Sequence, residues 1–316
     1  MIFSGDNDLG FELPQSGHWE FGGHLYGLEP LALPAHWAGR DPGPGVRDWV
    51  STASWLGPDA VPDLMPASDG EVDRLVWFRW ITGHQTTFIL WQLLAAVLDE
   101  AGHPGADHDE LASAARSLVC GYSLMLLYVG SSPEDRYDRV IRHPMARQHP
   151  NLSGAWARDY HEIRPLFRGR ATLGGRVAAA ALADECVLNK QVHQGIAARL
   201  VPSGVSLLLN KDVRKGIRPM QRDTLLWLYD GIFLTTRTQV AYDAQARQLL
   251  RRLHAIHLDI SANGLYPACY SPQQEPPELL TREAMELKAS FPVALRRIAE
   301  LAAAPRARSS DQDVAR

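Results

Sequence analysis

The pattern of apolar and polar residues predicts a chain built mainly of helices. Beyond residue 67, apolar side chains recur at every third or fourth position, the spacing of one face of an α-helix. The longest such segment begins at Ser68, where Glu71 completes a capping box, and ends near Glu100, before Gly102 and Pro104. Further helices are predicted at residues 109–129, 133–143, 153–165, 176–200, 220–236, 240–261 and 281–303.

The two ends of the chain lack this pattern. Residues 1–66 are rich in glycine, proline and tryptophan, which predicts an irregular N-terminal arm packed on the helices. Residues 305–316 are polar and are expected to be disordered. Almost no strand is predicted, and no linker divides the segment between the ends. The predicted fold class is therefore all-α, with a single helical-bundle domain at residues 67–304 that follows the arm.

The longest predicted helix carries an aromatic face with one imidazole near its centre. Helical spacing places six residues on this face: Trp77, Trp80, Ile81, His84, Phe88 and Trp91. A broad apolar surface of this kind suits a large planar partner with a reactive atom opposite the imidazole. The alternative interpretation is a core helix that buries one histidine.

Composition and charge exclude several classes of function. The chain has 316 residues, of which 46% are hydrophobic, and a net charge of -4, so it can bury a core but has no basic footprint for nucleic acid or an anionic membrane. Three cysteines imply no disulfide framework, and a cytoplasmic location is expected. We find no signal-peptide pattern, and apolar runs such as residues 124–129 are far too short to span a membrane.

A second histidine, His193, lies in the predicted helix at residues 176–200. Gly195 and Ala197 beside it are small, which would let a planar macrocycle approach the helix, and a neutral imidazole nitrogen is a common haem ligand. A plain polar helix position is the alternative. His254 and His257 could share a metal but lack a third ligand, and the common nucleotide, hydrolase and metalloprotease motifs are absent.

Three segments resemble parts of the tryptophan 2,3-dioxygenase family. Residues 81–85 with Leu90 and Trp91 resemble the helix whose histidine lies on the distal side of a b-type haem in that family. Residues 147–154 are similar to the stretch whose arginine holds the substrate carboxylate. His193 with the serine- and glycine-rich residues 203–206 resembles the proximal-histidine segment and the loop that contacts the amino acid substrate.

The whole chain, including residues 18–23, more closely resembles a sister group of those enzymes. This group is the haem-dependent L-tyrosine 3-hydroxylases of actinobacterial antibiotic pathways, those that make pyrrolobenzodiazepines and lincosamides. The resemblance covers roughly residues 15–270. It implies hydroxylation of L-tyrosine to 3,4-dihydroxy-L-phenylalanine, with hydrogen peroxide or O2 as oxidant, and a homodimer. Some relatives attach haem to a cysteine four residues after the ligand histidine; Ala197 stands there, so non-covalent haem b is expected.

The resemblance also implies roles for individual residues. His193 would be the axial ligand of the haem iron, and His84 the acid–base group, acting either on peroxide or on the phenol of the substrate. The expected substrate-binding residues are Arg147 for the carboxylate, Trp80, Ser203 and Ser206. The expected cofactor-binding residues are Trp77, Phe88, Asn189 and Arg199.

Three other functions stay open at this point. A tryptophan or indole dioxygenase would use ferrous haem and O2. A haem carrier or sensor would hold the iron between His84 and His193 without turnover. An all-α interaction module would bind no cofactor at all.

Overall fold

The computed structural model of the protein describes residues 20–21, 24–25, 27–35, 66, 68–149, 152–201, 219–270 and 273–303. These residues are mostly helical, which confirms the predicted all-α class. Most of the predicted arm, the predicted disordered tail and the candidate residues Ser203 and Ser206 lie outside the described residues.

Ten α-helices of very different length make up the described fold. They are α1 Asp69–Glu100, α2 His108–Val129, α3 Glu134–Tyr137, α4 His143–Gln148, α5 Tyr160–Phe167, α6 Arg176–Leu200, α7 Pro219–Ile232, α8 Tyr242–Asn263, α9 Arg282–Ala289 and α10 Phe291–Ala303. A π-helical turn, Asp138–Arg142, joins α3 to α4. Single 3₁₀ turns lie at Gly154–Trp156 and Pro277–Leu279.

Helix α1 forms the centre of the fold. Its N-terminus is capped as predicted, because the Ser68 hydroxyl accepts a hydrogen bond from the Glu71 amide. It packs against α2, α5 and α8, so every residue from 81 to 97 except His84 is buried. Four residues of the predicted aromatic face, Trp80, His84, Phe88 and Trp91, are in successive ring contact along α1, whereas Trp77 and Ile81 lie in the general core.

Several predicted helix ends differ from the observed ones where prolines are involved. The helix expected to stop before Pro144 continues to Gln148, because the wider π turn before it accommodates the missing N–H of the proline. Pro165 likewise lies inside α5, which ends two residues later. The helix predicted at residues 281–303 is two helices, broken at Ser290, and Pro292 lies in the first turn of the second helix, where its missing N–H has no partner to lose.

The described strands are short, but one pair connects the arm to the helical domain. β1 Glu20–Phe21 pairs antiparallel with β2 His24–Leu25. β3 Leu31–Leu33 pairs parallel with β4 Thr235–Arg237 and is fully buried. The arm is thus partly regular, and residues 235–236, which were predicted to be helical, form part of a strand.

A buried ion pair connects α1, α2 and α8. Arg79 is 1% exposed, and its guanidinium contacts both carboxylate oxygens of Asp259 at 2.8 and 3.0 Å. Tyr128 and Asn263 donate to the same carboxylate at 2.7 and 2.8 Å. The guanidinium of Arg79 and the carboxylate of Asp259 are therefore compensated, which is the condition for tolerating a buried charge, while Asn263 Oδ1 is buried without a hydrogen-bond partner among the described residues.

Among the described helices, α2 is long and apolar enough to cross a membrane by length and composition. However, 61% of its most apolar segment is buried inside the fold, between α1, α6 and α10. Core helices of soluble proteins have the same character.

Candidate functional site

A cavity of about 570 Å³ opens between α1, α2, α5, α6 and the end of α7. This volume lies within the range of roughly 300–1,000 Å³ that is usual for sites that bind small molecules and cofactors. Aromatic side chains form much of its wall: Trp80, Trp91, Tyr122, Tyr137, Tyr160, Phe167, Tyr229 and Phe233. The wall also contains His84, Arg142, Arg164, Asn189, Lys190, His193 and Ala197.

His84 enters the cavity from α1 with a defined tautomer. Its Nδ1 lies 2.7 Å from the carbonyl oxygen of Trp80, one helical turn earlier. A carbonyl can only accept, so Nδ1 carries the proton and Nε2 keeps a free lone pair. Burial lowers the pKa of His84 to about 4, although the Trp80 hydrogen bond acts in the opposite direction. The imidazole is therefore neutral near pH 7 and can act as a hydrogen-bond acceptor or base.

Two aromatic rings hold the imidazole of His84. Phe233 stacks on it with ring centroids 4.6 Å apart and an interplanar angle of 21°. Trp80 lies on it at 4.0 Å and 47°, and Tyr137 packs in turn on Trp80 at 5.4 Å. Rings that enclose the imidazole limit its rotation and exclude water from it.

His193 projects into the same cavity from α6. Its side chain is exposed to the cavity space, yet the surrounding protein still lowers its pKa by desolvation, which favours the neutral form that binds metals. Asn189, one turn earlier, is buried and donates to the Ser123 hydroxyl at 3.0 Å. Ala197 lines the cavity one turn later, so this helix surface is slim where a planar group would lie.

Gly195 does not contribute to that slim surface. A methyl group added there would lie 2.6 Å from Leu279, in the turn at Pro277–Leu279. The glycine therefore serves the close packing of α6 against this turn. The interpretation of Gly195 as part of a haem-facing surface is wrong, while Ala197 does face the cavity.

The charged residues that the described part of the chain contributes to the cavity wall are all basic. Arg142, Arg164 and Lys190 line it, and no described Asp or Glu does. Arg142 lies 3.7 Å from Asp138 at the protein surface, whereas Arg164 and Lys190 form no ion pair with any described carboxylate. A basic wall around an aromatic interior favours a largely apolar ligand that carries carboxylates.

The structure brings together four of the residues selected from the sequence. His84, Trp80, Asn189 and His193 line the cavity, although the two histidines lie on helices far apart in the chain. Phe88 is buried in the core next to them, with its ring centroid 6.3 Å from that of His84.

Three other predicted site residues lie elsewhere in the described structure. Arg147 is exposed on α4 and is not part of the cavity wall. The Arg199 guanidinium donates to Gln273 and to the Ser131 carbonyl, also outside the wall. Trp77 is fully buried in the core.

Several wall residues were not selected from the sequence. On α2, the wall residues Tyr122, Met125, Leu126 and Val129 follow helical spacing, so this face could have been found as a second apolar stripe. Phe233, in contrast, follows α7 in a turn, and no local pattern places it against His84.

A comparison with known protein families bears on part of the chain. Residues 44–185 match the family model described as SfmD 3-methyl-L-tyrosine peroxygenase. The matched segment covers less than half of the chain; it includes His84 and Arg142 but ends before His193. No curated protein matches the chain. The match supports a protein of the haem peroxygenase type, and hence an oxidoreductase.

Proposed function

We propose that the protein is a haem-dependent hydroxylase that converts L-tyrosine to 3,4-dihydroxy-L-phenylalanine with hydrogen peroxide. The observation that carries the proposal is the cavity itself, because two neutral histidines from different helices enter one aromatic space with a basic wall. The family match supports a tyrosine-like substrate and peroxide. Like the relatives it resembles, the protein would act in antibiotic biosynthesis.

The residues of the cavity fit a haem. His193 offers a neutral nitrogen for the iron, and Ala197 leaves room for the ring but has no thiol to attach it, so the haem would be non-covalent. Arg164 and Lys190, which form no ion pair with a carboxylate in the described part of the chain, would hold the two propionates. When bound, haem supplies the two-electron redox chemistry that transfers an oxygen atom from peroxide to an aromatic ring.

His84 supplies the proton transfer that this chemistry needs. Its Nε2 lone pair accepts a proton from the hydroxyl of peroxide, and the resulting imidazolium returns the proton to the departing oxygen, which leaves as water. The same lone pair can also accept a hydrogen bond from the phenol of the substrate. The overall reaction balances: tyrosine and hydrogen peroxide give the catechol and water.

Arg142 replaces Arg147 as the proposed partner of the substrate carboxylate. Arg142 lies in the cavity wall near Tyr137, which packs on Trp80 and so leads to His84. A guanidinium there would anchor the amino acid end while the aromatic wall holds the phenol ring.

The test combines an absorption spectrum with product analysis. We expect the full-length protein, produced with adequate haem supply, to show a Soret band that L-tyrosine shifts and L-tryptophan does not. With peroxide, it should form one catechol per peroxide consumed. 3-Methyl-L-tyrosine should be tested in parallel, since faster turnover of that compound would change the assigned substrate.

Other outcomes would overturn the proposal. Turnover of tryptophan by the ferrous protein with O2 would identify an indole dioxygenase. A low-spin spectrum that no amino acid changes would identify a haem carrier or sensor. A folded, colourless protein would show that the protein binds no haem.

A further inference from the structure

Gln85, the residue after His84 in α1, makes hydrogen bonds to two other elements of the fold. Gln85 is 1% exposed. Its side-chain amide donates to the backbone carbonyl of Phe233 at 2.8 Å, and its carbonyl accepts from Nε of Arg252 at 2.9 Å. The hydrogen bonds of this side chain therefore connect α1 to α8 and to the turn after α7.

The turn held by Gln85 is the one that places Phe233 on the imidazole of His84. Leu234, which follows, has a φ of +46°, the one positive value among described residues other than glycine. Side chains with a Cβ adopt this conformation only where the surroundings enforce it. The Leu31 amide bonds to the Leu234 carbonyl at 2.9 Å, so the turn is held from both sides.

Arg252 is itself fixed in place. It is fully buried, and its guanidinium donates to a carboxylate oxygen of Glu29 at 3.1 Å, to the Glu29 carbonyl at 2.9 Å and to the Gln248 carbonyl at 3.2 Å. A guanidinium with this many partners presents its Nε–H to Gln85 in one orientation only.

We infer that Gln85 and Arg252 are positioning residues that set the orientation of His84 through Phe233. Arg252 orients the amide of Gln85, the amide holds the Phe233 carbonyl, and the Phe233 ring keeps the imidazole in one plane with Nδ1 on Trp80. The effect of this positioning on catalysis rests on the proposed function, because that effect requires His84 to move protons during turnover.

Three variants of the full-length protein test this arrangement. Gln85→Met keeps the side-chain length and removes both hydrogen bonds without adding a charge. Phe233→Leu removes the stacked ring alone, and the double variant combines the two. The control is Gln191→Met, which also loses two hydrogen bonds, to Glu278 and Thr281 at 2.7 Å each, outside the cavity wall.

The first readout is the NMR signal of the His84 ring in selectively labelled protein, in the diamagnetic ferrous–carbonyl state where haem is bound. We expect Gln85→Met and Phe233→Leu to shift the signals of the protons on the His84 ring carbons in the same direction. Both changes should weaken the effect of the stacked Phe233 ring on those chemical shifts. Gln191→Met should leave these signals in place even if it lowers thermal stability equally.

The second readout is steady-state turnover with L-tyrosine and peroxide. A misplaced imidazole should lower kcat about ten- to a hundredfold in Gln85→Met while KM and haem content stay within about twofold. The double variant should be no slower than Phe233→Leu, because both changes act through one ring.

Unchanged His84 signals in Gln85→Met would overturn the inference whatever the activity. The same holds for fully additive losses in the double variant, or for equal effects in Gln191→Met. Wild-type protein that does not turn over tyrosine would contradict the proposed function instead, and the NMR comparison would still decide the positioning role.

Discussion

At the scale of single residues, the chemistry of the cavity depends on two imidazoles with different surroundings. His84 is fixed by a backbone carbonyl and two rings, with a single nitrogen left for a ligand. His193 makes no such contact with any residue that the structure describes, and its ring is open to the cavity. This difference suits a split of roles in which the open imidazole binds iron and the fixed one moves protons.

The two histidines should therefore respond differently to removal. We expect His193→Ala to lose haem and turnover together. His84→Ala should keep its haem and lose turnover by about 10²- to 10⁴-fold, the usual contribution of a general acid–base group. Haem content per chain, measured from the absorption of the pyridine complex, separates the two effects. A normal haem spectrum in His193→Ala would show that the ligand assignment is wrong.

The residue that binds the substrate carboxylate can be identified by comparing two arginines. Hydrogen bonds to a charged group contribute about 1.5–3 kcal/mol, so we expect Arg142→Gln to raise KM for tyrosine about 10- to 100-fold and to change kcat little. Arg147→Gln, on the exposed surface of α4, should leave both constants unchanged. The opposite result would restore the assignment to Arg147 that was made from the sequence.

At the scale of elements, the close contact of α1 with α2 determines where His84 lies. Gly83 allows this close contact between the helices, because a methyl group at that position would lie 2.3 Å from a Val129 methyl and 3.2 Å from the Tyr128 ring. Val129 also lines the cavity. The glycine before His84 thus lets the two helices approach at the cavity wall.

Two glycines of α1 should give opposite effects when changed to alanine. Gly83→Ala gains about 1 kcal/mol of helix propensity but overpacks a buried contact, which costs about 1–3 kcal/mol, so we expect a net loss of stability. Gly70→Ala, with nothing within 4 Å of the added methyl, should gain up to about 1 kcal/mol. Urea unfolding of both variants measures the difference. Equal gains in stability in the two variants would mean that α1 and α2 can move apart to accommodate the added methyl group without a cost in free energy.

Helices with regular periodicity and clear caps were predictable, while those shaped by tertiary contacts were not. The ends of α1, α2 and α6 agree with the sequence pattern within one residue, because Ser68 and the glycines at 102, 174 and 175 are local signals. Pro144 and Pro165 stop no helix, since a π turn or a short final turn absorbs the missing N–H. Strand β4 depends on pairing with the distant β3, which no local pattern records.

The candidate site was predictable only in part, for a similar reason. His84 and His193 were selected from helical spacing and from resemblance, and the fold brings both to one cavity. Arg142 was missed, because among many arginines only the path of the chain after α3 decides which one reaches the cavity. The partners of Gln85 lie more than a hundred residues away and could not be inferred from its position.

At the scale of the whole molecule, buried ion pairs join elements that are distant in sequence. Arg237 on β4 contacts both Asp159, before α5, and Asp230 on α7 at 2.6–2.9 Å. Glu29 connects the arm to Arg251 and Arg252 on α8. Burial alone would raise the pKa of Glu29, but the two guanidinium groups lower it overall. The arm, the cavity wall and the core are thus joined by charges that must stay paired.

The stability of the molecule should consequently depend on pH in a defined window. The pKa of His84 is about 4 in the folded chain against an ordinary 6.5, so between these values the unfolded chain binds about one more proton and stability rises with pH. The lowered pKa values of His193 and His254 act with the same sign. We expect the free energy of unfolding to have its highest value above pH 6.5 and to fall as the pH drops towards 4. The lowered pKa of Glu29 removes further stability below about 4.5.

The contribution of His84 can be separated by replacing it with Phe, which suits the aromatic wall and does not titrate. Urea unfolding of wild type and His84→Phe at a series of pH values between 4.5 and 8 gives both profiles. The difference in slope between pH 4.5 and 6.5 should correspond to about one proton and vanish above pH 7. Identical slopes would mean that the His84 imidazole titrates in the folded chain as it does in the unfolded one. The neutral base required for the proton transfer proposed here would then be missing below pH 6.5.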